Sequence, residues 1–92
     1  MTPSDNDVLH IVIKSPTEIV WEGEASSLSS ENSEGPFDIL PEHANFVTLI
    51  KNKPISIEQY PSKKTIEFIF TYAVIFTQND QISIYTHLEH KR

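Results

Sequence analysis

Four histidines, His10, His43, His87 and His90, and three carboxylates close in sequence, Glu34, Asp38 and Glu42, are the residues of this 92-residue chain whose types and spacing raise the question of chemistry. A zinc site draws its ligands from Cys, His and carboxylates. His87 and His90 stand three apart, a ligating interval on a helix, but they fall at the chain's end beside Lys91 and Arg92, where a terminus frays. His10 lies inside a strand pattern, where a half-buried, hydrogen-bonded imidazole is the plainer reading. Spacing implies no third ligand, so no metal site is expected. Glycosidase-type work needs two carboxyl groups held across a cleft, and a chain this short has little room for one. Only Gly23 and Gly35 are present, which leaves no glycine-rich phosphate loop, and nothing resembles a nucleophile elbow. These observations argue against an enzyme.

Composition narrows the field further. Thirteen acids against seven Lys and Arg give a formal charge of -6, which repels a phosphate backbone, so nucleic acid is not an expected partner. From Glu18 to Glu42 the chain carries seven acids and no Lys or Arg, which suits either a solvated flank or a basic partner. Cysteine is absent, removing disulfides and thiolate chemistry together. No apolar run approaches the ~20 residues of a membrane helix, and the polar, acidic start is unlike a signal peptide. A chain of this length is one domain that buries roughly 60 to 65 per cent of its unfolded surface.

The elements that must position these residues are strands. Leu9, Ile11 and Ile13 alternate against Val8, His10 and Val12. Glu18 to Glu24 reads as a second strand that bends near Gly23, and Ala25 to Ser30 as a further, more polar one. Glu31 to Pro36 is a loop by composition. Phe37 to Leu40 is a short strand ended by Pro41, and a turn over Glu42 to Asn45 leads into Phe46 to Ile50. Ile55 and Ile57 share a face, Pro61-Ser62-Lys63-Lys64 forms a hairpin loop, and Ile66, Phe68 and Phe70 share the next face. Tyr72 to Thr77, nearly all apolar, reads as a central strand, with Ile82 and Ile84 on the last. No helical stripe persists over three turns. The expected fold is therefore all-β, a two-sheet β-sandwich or flattened barrel of about ten short strands, with residues 8–86 as the domain, 1–7 as a flexible N-terminus and 87–92 as a tail.

One run is more specific than strand-forming sequence requires: Ser33-Glu34-Gly35, then Phe37-Asp38-Ile39, then Leu40-Pro41-Glu42-His43-Ala44, then Phe46 onward. It resembles the signature of the epsilon subunit of rotary ATP synthases. The resemblance extends from about Leu9 to Thr86, through Leu9 to Ile13, Ser15-Pro16 and Trp21 to Ala25 at one end and the Tyr72 to Tyr85 hairpin at the other. It implies the N-terminal β-sandwich at the foot of the central stalk, a non-catalytic part of the rotor that needs no cofactor. Its implied partners are the gamma subunit and the polar loops of the membrane c-ring. Carried over residue by residue, Ser33, Glu34 and Gly35 match the loop that meets the c-ring, whose loops usually carry an arginine. Glu42, His43 and Ala44 match the turn near gamma. The implied location is the cytoplasmic face of a bacterial inner membrane, or its organelle equivalent, held there through the complex.

This chain departs from the family pattern in three places. Asp38 and Glu42 stand where relatives commonly carry Gly, and Tyr72-Ala73 stands where a Gly-Gly pair is usual. The helical hairpin that usually follows is not within the 92 residues, which fits a short form or an excised domain alike, and regulation by such an arm is not expected of this chain. His43 admits a second reading, as a turn residue that caps backbone groups at a strand end. An alternative from another class is a stand-alone carbohydrate-type binding module, with Trp21, Tyr60, Tyr72 and Tyr85 lining an apolar pocket.

Overall fold

The structure, a computed structural model, describes residues 8–87. Eight strands follow one another: β1 (Leu9–Lys14), β2 (Ile19–Asn32), β3 (Gly35–Ile39), β4 (Phe46–Lys51), β5 (Pro54–Gln59), β6 (Thr65–Ile69), β7 (Tyr72–Gln78) and β8 (Gln81–Thr86). Among the described residues no helix is long and apolar enough to cross a membrane. The expected flexible N-terminus and the end of the tail, with His90, lie outside the described residues.

The strands run β4-β7-β8-β1-β2-β5-β6 across one curled sheet, with β3 pairing β2 off that path. Alternation explains which side faces in. Leu9, Ile11 and Ile13 of β1 are buried, and β8 runs parallel to β1 so that Ile82 and Ile84 sit opposite Ile11 and Ile13. Ile55 and Ile57 of β5, Leu28 of β2, Ile39 of β3, Ile50 of β4 and Ile75 of β7 complete a core made mostly of isoleucine. β-branched side chains lose little rotamer freedom on a pleated surface, which suits a small core without disulfides.

The count of about ten strands is corrected to eight, chiefly because β2 does not break where expected. It runs for 14 residues through Gly23. Residues up to Ala25 pair with β1, and residues from Ala25 onward pair with β5 on one side and, from Leu28, with β3 on the other. The two layers of the sandwich are thus joined through one strand. The irregularity falls between Ala25 and Ser27, where the register against β5 shifts. On the far side, an edge-to-face contact of Phe37 and Phe46 at 5.9 Å and a hydrogen bond from Asn32 Nδ2 to Thr48 Oγ1 at 2.9 Å hold β4 against the β2–β3 hairpin.

Gly23 serves packing instead of bending. The Trp21 ring lies across it, so that a Cβ at position 23 would stand 2.8 Å from Trp21 Cζ2 and Cη2. The same ring packs against Phe68 with centroids 6.3 Å apart. Gly23→Ala should therefore push the ring off Phe68 and cost about 1–3 kcal/mol, the usual range for overpacking. Trp21 is the single tryptophan, so its fluorescence reports the displacement directly. An unchanged emission maximum and unfolding midpoint would contradict this packing.

Candidate docking surfaces

The Ser33-Glu34-Gly35 loop is built by its own turn chemistry. Asn32 Oδ1 accepts the Glu34 N–H at 2.8 Å, and Gly35 has φ +122°, a backbone conformation that L side chains rarely adopt. Nothing lies within 4 Å of a Cβ built on Gly35, so the demand for glycine is conformational and not steric. Ser33 and Glu34 are exposed, and no hydrogen bond or ion pair engages the Glu34 carboxylate among the described residues.

The Glu42-His43-Ala44 turn is built by tertiary contact. β7 and β8 are joined at Asn79 and Asp80, both with positive φ, 52° and 65°, as a type I′ hairpin requires. The Glu42 N–H donates to Asp80 Oδ1 at 2.6 Å, and the Asn79 N–H donates to Asn45 Oδ1 at 3.1 Å. His43 Nδ1 lies 2.8 Å from the Ala44 carbonyl, an acceptor only, which assigns the proton to Nδ1. Its ring packs on Phe46 at 5.1 Å. The capping reading of His43 accordingly holds, while Glu42, His43 and Ala44 all remain exposed at the surface.

These two clusters are not brought together. They flank β3, whose five residues at about 3.3 Å each span about 16 Å. Asp38, between them, accepts the Ser29 hydroxyl at 2.6 Å across the β2–β3 pair. His10 stands 3.5 Å from Glu24 across β1–β2, and among the described residues no group of three or more His, Cys, Asp or Glu is arranged to hold a metal ion. The aromatic residues of the ligand-pocket alternative divide between the two sides of the sheet. Trp21 packs against the core, whereas Tyr72 and Tyr85 are about half exposed on the outside.

Sequence reasoning misses the outer face that carries Tyr72 and Tyr85 as a surface in its own right. Val47 and Leu49 of β4, Tyr72, Val74 and Phe76 of β7, and Tyr85 of β8 share it in register, with Val47 opposite Phe76, Leu49 opposite Val74 and Val74 opposite Tyr85. Five of these six are exposed, Val47 at 61%. Phe76 meets Tyr85 edge to face at 5.5 Å, and Lys14 Nζ lies 5.8 Å from the Tyr85 ring centroid. A signal for it is present in the sequence: β4 and β7 are apolar at consecutive positions, which reads as a strand covered on both sides. Among the described residues only one side is covered.

The described residues thus form a β-sheet domain with an exposed apolar face and two exposed polar turns. The model of the family described as ATP synthase, Delta/Epsilon chain, beta-sandwich domain matches residues 8–88, and the chain belongs to that family. The ATP synthase epsilon chain of a Nitratiruptor species is 34% identical over 58 residues, covering 63% of this chain and 45% of that protein. The ATP synthase epsilon chain of Campylobacter curvus is 40% identical over 52 residues, 56% of this chain and 40% of that one. The chain thus spans less than half the length of these curated relatives. A chain of the Euglena gracilis mitochondrial ATP synthase OSCP/F1/c-ring structure superposes with TM-score 0.79 at 11% identity, over 94% of this chain and 54% of that chain. One from the Tetrahymena thermophila mitochondrial ATP synthase central stalk/c-ring gives 0.71 at 13% identity, over 87% and 63%. At those identities the likeness speaks for the fold.

Glu42 holds φ +70°, a left-handed conformation that costs a non-glycine residue roughly 1–2 kcal/mol. Glu42→Gly should therefore raise stability by about 0.5–1 kcal/mol, although glycine elsewhere in a fold normally lowers it. Denaturant unfolding of the two forms decides the sign.

Proposed function

We propose that this chain forms the rotor-stalk domain of a rotary ATP synthase, joining the gamma subunit to the membrane c-ring and so supporting the coupling of ion flow to ATP synthesis. The observation that carries the reading is the exposed apolar face of β4, β7 and β8 on a domain of this family. A contiguous exposed apolar face favours an interaction site, and on a domain of this family a protein partner is the reading it supports. The gamma subunit takes this face, and the contact extends to Glu42, His43 and Ala44, because Phe46 links the His43 ring to the start of β4.

Ser33, Glu34 and Gly35, at the other end of β3, meet the polar loops of the c-ring. The exposed Glu34 carboxylate suits a cationic loop residue there. The domain makes and breaks no bonds. It holds two partners at a fixed separation, and its membrane association passes through the complex.

Val47→Asp should lower affinity for the gamma subunit at least tenfold, since it places a charge in an apolar contact. The unfolding free energy should change by less than about 0.5 kcal/mol, as for other surface substitutions. Glu34→Lys should weaken binding to c-ring-containing membranes and leave gamma binding intact. Retention of full gamma affinity by Val47→Asp would overturn the assignment of the face.

A further inference from the structure

The β2–β3 loop and the β4–β5 connection meet at one end of the domain, and two side-chain links tie them. Asn32 Nδ2 donates to Thr48 Oγ1 at 2.9 Å, and Lys53 Nζ stands 3.9 Å from Glu31 Oε1. Between the ties is an open recess of about 380 Å³, to which Ser33, Thr48, Leu49, Lys51 and Lys53 contribute.

The hydrogen-bond balance of this recess is uneven. The Thr48 oxygen receives the Asn32 amide, which leaves the Thr48 hydroxyl hydrogen to be given elsewhere. The Ser33 hydroxyl and the Lys51 ammonium likewise have no acceptor among the described residues. Glu31 is the single carboxylate in the lining, and it faces Lys53. Two cations against one acid make this recess locally positive in a chain whose formal charge is -6. Leu49, exposed at 46% and the last apolar residue of β4 on the outer face, forms the border between that face and the recess and gives the recess an apolar side. Donors in excess, net positive charge and an apolar side wall suit a carboxylate carried on a short aliphatic stem.

We infer that the recess receives an Asp or Glu side chain from the partner surface that meets Glu34. The inference rests on reading Ser33, Glu34 and Gly35 as the c-ring contact, and it deepens that reading. The contact is bipolar: Glu34 takes a cation from the partner, and Lys51, with the Ser33 and Thr48 hydroxyls, takes an anion. A partner loop with a cation alone would satisfy half of it. Complementary charges of both signs set the orientation and the rate of docking more than its depth, because exposed pairs are individually weak.

The test is binding of the chain, together with the gamma subunit, to c-ring-containing membranes. Lys51→Glu should weaken binding about fivefold to tenfold and Lys51→Gln about twofold, with the unfolding midpoint unchanged. Because Lys51 pairs with Tyr72 at the border of the apolar face, gamma affinity is measured separately for each variant. Reversing an acid on the polar c-ring loop to lysine should restore the binding of Lys51→Glu. Should Lys51→Glu bind as the unaltered chain does while Glu34→Lys binds weakly, the recess inference is overturned and the c-ring contact stands. If neither variant weakens binding, the c-ring reading of this end fails with it.

Discussion

β2 is hydrogen-bonded into both layers, and the positions of the surfaces follow from that. Its first half builds the sheet with β1, and through β1 aligns β8, β7 and β4. Its second half carries β3 on one edge and β5 with β6 on the other. Ala25 and Leu28, fully buried, lie along this shared segment. The strand shared by both layers therefore fixes where the Ser33–Gly35 loop emerges relative to the apolar face, without a rigid linker or disulfide. Ser30 ties the second half of β2 to the start of β5: its buried hydroxyl donates to the Pro54 carbonyl at 2.8 Å.

The sequence is most readable where one face of a strand is buried and the other wet. The alternation of Leu9, Ile11 and Ile13, of Ile55 and Ile57, and of Ile82 and Ile84 places each of those residues in the core correctly. The alternation of Ile66, Phe68 and Phe70 against Glu67 and Ile69 is equally faithful, with Ile69 left 62% exposed. Period-two burial is a local property, so local sequence reports it. The turn at Ser33 and Glu34 is readable for the same reason, since Asn32 and Gly35 make it by themselves. The expected loop over Glu31 to Pro36 is too long, however: Glu31 and Asn32 belong to β2 and Gly35 and Pro36 to β3, paired across the hairpin.

What escapes sequence reasoning depends on distant partners. The continuity of β2 through its polar half follows from pairing on both edges, which no local pattern encodes. Gly23 resembles a bulge in sequence because the Trp21 ring above it is a packing fact. The Glu42–Ala44 turn is shaped by Asp80, 38 residues away. β7 reads as central and does lie inside the sheet, between β4 and β8, but its outer side chains meet solvent. That exposure is what the proposed gamma contact would cover. On the proposed function the domain would join two partners by different physics: apolar burial along β4, β7 and β8, and paired charges at the end bearing Glu34 and Lys51.

Calorimetric titration of the chain with the gamma subunit over a range of temperatures and salt concentrations tests the central claim, that an apolar sheet face is the docking surface. Burial of that face predicts a clearly negative heat-capacity change and an affinity that varies little with salt. Absence of binding, or binding that collapses with salt and shows a heat-capacity change near zero, would contradict it.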